Sequence, residues 1–247
     1  QELQRLCTAN IKQEIGKCTY THMLNEGAGI ETDLTVVCVD KNYFRIISSA
    51  TVRTHDKAHI LKHLSKDIEF KDVTDELICL GIFGPKSREL LSKITKEDLS
   101  NENFKFGTSK NVKLALINVW IQRLSYVGEL GYELYVQREK GKELYDLIVK
   151  IGKDFELAHC GAHTMDVMRM ESGFLHWGND ISPEENQYQA GLNFAISYKK
   201  PFEFIGKNKL LKIKDQKLDR RFIMLALKNN EPGEPLLLHE EPIYLDD

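Results

Sequence analysis

The stretch Tyr126-Val-Gly-Glu-Leu-Gly-Tyr-Glu-Leu134 constrains the fold of this chain more than any other. Its two glycines, Gly128 and Gly131, permit positive φ or a close backbone approach. Apolar and polar residues alternate on either side, which predicts a strand, a tight turn and a second strand. A hairpin of this kind commits the neighbouring chain to an antiparallel sheet. Glu129 and Glu133 are four residues apart, but across a turn they need not share a face. A carboxylate beside an aromatic pair suits a flat heterocycle edge carrying two parallel N–H donors, because a carboxylate accepts such an edge as a fork. The amino-pyrimidinone side of a pterin is one example. The same pattern also describes a hairpin with solvated glutamates.

The remaining pattern mixes hairpins and helices, which argues for α+β with antiparallel sheets. Strands are expected at Thr19–Leu24, Leu34–Val39, Phe44–Ser48, Ile68–Val73 and Ile78–Phe83, and across the strand-rich stretch Asn111–Tyr126. Helices are expected at Thr54–Leu64, after Pro85, at Lys140–Gly152 and at Cys160–Ser172, where Gly173 stops the run. Phe194–Tyr198 and Arg221–Ala226 read as strands flanking a helix from Gly206.

At 247 residues the chain can bury a sizeable core. Its net charge of −3 argues against a nucleic-acid partner, which calls for a clustered basic surface. The basic run Lys207–Arg221 is broken by Leu210, Leu211 and Ile213 and reads as a solvated helix face. No apolar run is long enough to span a membrane. The five cysteines (Cys7, Cys18, Cys38, Cys79, Cys160) form no C-x-x-C pair. They read as reduced, structural thiols in a reducing compartment, with Cys18, Cys38 and Cys79 in or beside apolar strands. His55, His59 and His63 recur at helical spacing, but no carboxylate or cysteine stands at a matching metal spacing, so no metal site is expected. High lysine and isoleucine usage points to an AT-rich bacterial genome, and a cytoplasmic location is the expectation.

Three further stretches narrow the reading. They are Gly29-Ile-Glu-Thr-Asp-Leu-Thr-Val36; Asp72-Val-Thr-Asp-Glu-Leu77 running into Leu80-Gly-Ile-Phe-Gly-Pro85; and Met168-Arg-Met-Glu-Ser-Gly-Phe-Leu-His-Trp-Gly-Asn-Asp180, followed by Gln189-Ala-Gly-Leu192 and Phe204-Ile-Gly-Lys207. In this order and spacing they resemble the folate-binding domain of the glycine-cleavage T-protein (aminomethyltransferase) family. They are most similar to the carboxy-terminal, folate-binding part of sarcosine and dimethylglycine dehydrogenases. The resemblance runs from about Leu3 to Asp246. It implies a T-protein-like fold whose carboxy-terminal β-barrel is missing or truncated. Residues 1–220 would be the folate-binding domain and 221–247 the start of the barrel. The flavin-binding domain of the dehydrogenases would also be absent, since no G-x-G-x-x-G of the dinucleotide type occurs, and a fragment of a longer polypeptide is the expectation.

The resemblance also implies residue roles. Asp33 takes the position of the family's catalytic aspartate, able to orient the folate amine, stabilise an iminium carbon and take up the released proton. Tyr126 and Glu133 match the tyrosine and glutamate of Y-x-G-E-x-G-[YFW]-E and are implied folate contacts. Glu129 matches the motif's other glutamate, as a folate contact or a turn former. Arg169 and Glu171 read as an internal pair. His176 and Trp177 are possible channel residues, Trp177 being more often core. One departure is informative: where T-proteins carry Ala-Arg-Asp, this chain has Thr164-Met165-Asp166, and the dehydrogenases also tend to have an apolar residue at the arginine position.

The function so implied is a tetrahydrofolate-binding domain that traps the carbon of N-methyl oxidation as 5,10-methylenetetrahydrofolate. FAD would sit on a flavin-dependent dehydrogenase domain or subunit. The partners are folate and a small amine-derived one-carbon donor, with neither nucleic acid nor membrane. The alternatives are an aminomethyltransferase of glycine cleavage, a non-catalytic folate-binding accessory protein, whose K-G-C-x-x-G-Q-E motif is lacking, and a sulfonium-to-folate methyltransferase.

Overall fold

The structure is a computed structural model that describes residues 1–11, 14–228, 231, 233 and 241–244. Two antiparallel sheets carry the architecture. The first has the order β1 (Cys18–Leu24), β2 (Ile30–Asp40), β3 (Tyr43–Ile47). The second has the order β4 (Leu77–Phe83), β7 (Gly131–Gln137), β6 (Ile117–Gln122), β5 (Ser109–Leu114). Among the described residues six α-helices accompany them: α1 (Glu2–Leu6), α2 (Arg53–His63), α3 (Ser87–Ser92), α4 (Arg138–Gly152), α5 (Ala162–Glu171) and α6 (Lys207–Ile213).

Side chains alternate faces along a strand, so register decides what each sheet shows its neighbours. In the first sheet Met23, Leu34 and Val36 share a face with Phe44 and Ile46 and pack with Leu6 of α1 and Ile60 of α2. In the second, Tyr132, Leu134 and Val136 share a face with Ile121 and pack with Leu90 and Leu91 of α3 and Leu144 and Ile148 of α4. Gly141 of α4 lets the helix approach the sheet, because a Cβ there would stand 2.4 Å from Cδ1 of Ile78. Helices thus cover the outer face of each sheet. The inner faces meet where Cys18 and Val37 pack on Trp120, with Ile47, Leu124 and Tyr135 around them. The Arg45 guanidinium lies 4.0 Å from the centre of the Trp120 ring, a cation–π contact at the same joint.

A third cluster ties the later chain to β2. Leu24, Ala28 and Ile30 pack with Ile181, Ala190, Phe204 and Leu210, and Trp177 packs against this cluster. The Trp177 indole N–H donates to the Ile30 carbonyl (2.7 Å), and the Ile30 amide donates to the Glu185 carbonyl (2.9 Å). This close approach explains Gly29, where a Cβ would fall 1.7 Å from the Pro183 carbonyl oxygen.

The predicted strands and helices at 19–24, 34–39, 44–48, 54–64, 78–83, 140–152 and 160–172 form with shifted ends. Three predicted strands do not. Ile68–Val73 is a loop: Asp72 turns its carboxylate to the Thr74 amide (3.1 Å) and to the Arg53 guanidinium (2.9 Å), local bonds that compete with a ladder. Phe194–Tyr198 is a 3₁₀ turn (Asn193–Ala195) and a coil. Arg221–Ala226 joins no sheet; the Phe222 amide donates to the Gln189 carbonyl (2.8 Å), and the segment is exposed. The segment expected to open a second domain at 221–247 falls in part outside the described residues. The helix after Pro85 begins at Ser87.

The Gly29 contact yields a stability test. Gly29→Ala should cost about 1–3 kcal/mol, the usual penalty of overpacking. Urea unfolding checks it: a lowered midpoint is expected, and an unchanged one would mean that the 183–185 loop does not rest on β2.

Candidate functional site

The register that seals the two cores also sorts the polar residues. His22 pairs with Asp33, Tyr20 with Thr35 and Cys18 with Val37, so Tyr20, His22 and Asp33 share the inner face of the first sheet with the joint residues. Trp120 pairs with Tyr135, Gln122 with Glu133 and Gly81 with Glu133, so Glu133 lies on the inner face of the second. Asp33 stands four residues along β2 from Val37, about 13 Å at the usual strand rise. The structure therefore brings Asp33 and Glu133 onto facing sheet surfaces.

Each carboxylate is held by a tyrosine. The Tyr20 hydroxyl donates to Asp33 Oδ2 (3.1 Å), and the Tyr135 hydroxyl donates to Glu133 Oε2 (2.8 Å). Burial pushes the Asp33 carboxyl above the ordinary range, the Tyr20 hydrogen bond pulls it back, and the Asp56 carboxylate on α2 adds repulsion. Burial likewise raises Glu133 against the opposing pull of Tyr135. Two half-buried acids without a cationic partner are costly to ionise, an arrangement more typical of sites than of scaffolds.

Tyr126 is placed differently from the expectation. The first strand of the hairpin ends at Gln122, and residues 123–130 form a loop. The loop leaves the sheet because it is bound to the end of α5. The Ser172 hydroxyl donates to the Val127 carbonyl (3.2 Å), and at Gly128 (φ +75°) a Cβ would collide with that hydroxyl at 2.0 Å. The Tyr126 hydroxyl donates to the Leu175 carbonyl (3.0 Å), and its ring stacks on Phe174 at 6.2 Å. Burial pushes the Tyr126 hydroxyl up to about 12, and Asp33 is close enough to add to the shift. Tyr126 thus stands near Asp33 as an aromatic wall with its hydroxyl already engaged. Glu129 is exposed in the same loop, with no hydrogen bond or ion pair to a described residue.

The loop after α5 is organised by Arg169. Its buried guanidinium binds Asp166 (2.7 Å), Asp180 and the Phe174 carbonyl (2.9 Å), and Asp180 in turn accepts the His176 amide (2.8 Å). The expected Arg169–Glu171 pair does not form, because Glu171 points to solvent while Asp166 lies one turn back on the buried side. His176 is near enough to Asp33 to stabilise its charged form. Trp177 packs in the third cluster.

Sequence reasoning missed Tyr20, whose hydroxyl lies 3.2 Å from His22 Nε2 and whose ring stacks on the exposed Phe194 at 6.3 Å. Its signal was the period-2 run Cys18, Tyr20, His22 beside Asp33. Among the described residues no group of three histidines, cysteines or acids is arranged to hold a metal. His55 faces Glu31 (3.4 Å) and Asp56 (3.2 Å), while His59 and His63 pack ring to ring at 4.9 Å. Cys7, Cys18 and Cys38 are buried free thiols; Cys79, expected in the apolar interior, is exposed on the inner face of β4, and Cys160 is exposed as well. No helix among the described residues is long and apolar enough to cross a membrane.

Two helix-backed sheets with a carboxylate on each inner face define an aminomethyltransferase-like α+β domain. The glycine-cleavage aminomethyltransferase T of Bartonella henselae shares this fold, with a TM-score of 0.73 and 22% identity over 86% of this chain and 57% of that one. The model of the GCVT N-terminal domain matches residues 1–200, and the chain belongs to that family. Among curated relatives, it is 38% identical to 4-methylaminobutanoate oxidase (formaldehyde-forming) of Paenarthrobacter nicotinovorans, covering 98% of this chain and 29% of that protein. It is 37% identical to mitochondrial dimethylglycine dehydrogenase of Homo sapiens (90% and 26%) and 34% identical to the aminomethyltransferase of Caldanaerobacter subterraneus (92% and 61%). The chain therefore spans under a third of the length of the two oxidative relatives.

The electrostatics of Asp33 give a prediction. A folded-state pKa above the unfolded one means that the folded state binds this proton more tightly. The resulting stability is present below the unfolded pKa and is lost as pH rises through the folded one. Asp33→Asn should therefore exceed the wild type in stability at neutral pH, with the gap closing as pH falls into the carboxylate range. Denaturation midpoints across that interval check it, and a gap that widens toward acid would contradict the assigned burial.

Proposed function

We propose that this chain is a tetrahydrofolate-binding one-carbon transfer domain of a sarcosine- or dimethylglycine-dehydrogenase-like enzyme. The observation that carries the reading is the pair of tyrosine-held carboxylates, Asp33 and Glu133, on facing inner sheets. The residues fit the ligand. The fork of Glu133 matches the amino-pyrimidinone edge, and each oxygen of a carboxylate can accept more than one hydrogen bond. Gln122, the register partner of Glu133, has a buried Nε2 with no hydrogen-bond partner among the described residues, so a donor stands beside that acceptor. Tyr126, Phe174, Tyr20 and Phe194 supply aromatic walls.

Tetrahydrofolate, when bound, supplies a secondary amine that accepts a carbon at the oxidation level of formaldehyde. Glu133 binds and orients the pterin edge. Tyr126 closes one wall. Asp33 would accept the N–H of the reacting nitrogen, offset positive charge on the incoming carbon and take up the released proton. Its raised pKa suits that last task. Glu129 is the fourth candidate, its exposed carboxylate free to reach the ligand from the loop. A flavin-dependent domain or subunit would generate the carbon from an N-methyl amine.

The runner-up is an aminomethyltransferase acting on a carrier-bound aminomethyl group. Met165, 40% exposed on α5, argues against it, standing where the resemblance places an arginine in T-proteins.

Calorimetric titration with tetrahydrofolate tests the site. Glu133→Ala should weaken binding by about 1–3 kcal/mol, the cost of losing a charged hydrogen-bonding partner; an unchanged affinity removes Glu133 from the site. In the full-length, flavin-bearing enzyme, Asp33→Asn should raise free formaldehyde while leaving amine oxidation near wild type. Loss of flavin reduction would instead place Asp33 in the oxidative step.

A further inference from the structure

Behind Asp33 lies a chain of buried groups whose hydrogen bonds have only one consistent direction. Thr8, His22 and Gln187 are fully buried. The Thr8 hydroxyl has one proton, and it goes to the Ala195 carbonyl (3.0 Å). With its proton so placed, Thr8 Oγ1 can only accept from the other groups that reach it, the His22 amide (3.4 Å), Gln187 Nε2 (3.1 Å) and the Thr21 hydroxyl (3.4 Å). This fixes the Gln187 amide with its NH₂ toward Thr8. The second proton of that NH₂ meets His22 Nδ1 at 2.7 Å, so Nδ1 is the acceptor and Nε2 carries the ring proton. The reverse amide orientation would set a carbonyl oxygen against the oxygen of Thr8 and strand an NH₂ where only an oxygen now lacks a partner. Orphaned buried N–H groups are the rarer and costlier case.

The direction then propagates. Burial keeps His22 neutral, its pKa pushed down to about 3. Its Nε2–H points at the Tyr20 oxygen (3.2 Å), with the rings edge to face at 5.0 Å. Tyr20 thus receives a proton from behind, and its own single proton is directed to Asp33 Oδ2 (3.1 Å). Apart from Tyr20 and the backbone N–H of Asp33 itself, no described residue donates to this carboxylate. The remaining charged groups near Asp33 are Asp56 on α2 and His176 after α5, and neither is hydrogen-bonded to it.

We propose that His22 and Gln187 are positioning residues for Asp33: by setting the polarity of the Gln187–His22–Tyr20 chain they commit Oδ2 to the tyrosine and leave Oδ1 as the oxygen offered to a ligand N–H. The chain blocks two failures. A histidine of the opposite tautomer would accept the Tyr20 proton and release Asp33 to turn away. A tyrosine free to rotate would let the carboxyl protonate on the wrong oxygen. The ligand in this statement rests on the proposed folate function; the polarity of the chain does not.

The test is NMR on the full chain, labelled with ¹⁵N at histidine and ¹³C at aspartate carboxyls. In the wild type, His22 should show a pyrrole-type Nε2 and a pyridine-type Nδ1, unchanged across the ordinary histidine titration range. Gln187→Glu, once ionised, presents only acceptors to Nδ1, so above the titration of that carboxyl the proton should move to Nδ1 and Tyr20 should turn to Nε2, while below it the carboxyl O–H donates to Nδ1 and the wild-type tautomer should persist. The Asp33 carboxyl, having lost its donor, should then titrate higher, by the same amount as in Tyr20→Phe. The double variant Gln187→Glu/Tyr20→Phe should add nothing further, the mark of one pathway. Gln187→Met, which keeps the shape and removes the donor, should also relax the tautomer preference. A wild-type Nδ1–H tautomer overturns the proposal by itself, even if the Gln187 variants fail to fold. So does an Asp33 titration that responds to Tyr20→Phe but not to Gln187→Glu. Absence of tetrahydrofolate binding with the tautomer and titration results intact would count against the folate reading alone.

Discussion

The packing of Cys18 and Val37 on Trp120 and Tyr135 holds the inner faces of two sheets together. The strand period makes this joint reach further than its size. With Val37 facing the second sheet, residues two and four positions back along β2 face it too, which places Thr35 and Asp33 on the inner surface. With Trp120 and Tyr135 facing the first sheet, Gln122 and Glu133 must also face inward. A one-residue slip in either ladder would exchange the acids with Leu34 and Leu134, core residues at 3% and 0% exposure, so the forces that seal the two cores also aim the two carboxylates.

That aim has an electrostatic cost. Neither acid is ion-paired with a described residue, and each accepts one tyrosine hydroxyl. The buried cation Arg169 is committed to Asp166 and Asp180 and shapes the 174–180 loop instead. Unpaired, partly buried acids of this kind are typical of places where stability is traded for function, which is what the proposed folate site rests on. The fold offsets this elsewhere, with three apolar clusters besides the joint.

Much of this was legible in the sequence because it is periodic or local. The strands at 19–24, 34–39 and 78–83 and the helices at 54–64 and 140–152 follow from alternation and amphipathic spacing. The hairpin motif located β7, but its first arm was misread: Tyr126 has strand-like neighbours, yet Ser172 and Leu175 draw the loop away from the sheet. Ile68–Val73 has the composition of a strand but no edge to join, and Asp72 satisfies its neighbours locally. Arg169 finds Asp166 and Asp180 rather than Glu171, since helix direction, not proximity in sequence, decides which acid lies on the buried side. The chain behind Asp33 was beyond sequence reasoning altogether, because Gln187 reaches His22 across 165 positions.

The central claim is that Asp33 and Glu133 contact one ligand from opposite sheets. The most direct test follows the carboxyl ¹³C signals of both residues, assigned through Asp33→Asn and Glu133→Gln, as tetrahydrofolate is added. The account predicts that both signals move together along one saturation curve. Saturable binding that leaves both carboxyls unmoved would contradict it, because the ligand would then occupy a site that the two sheets do not form.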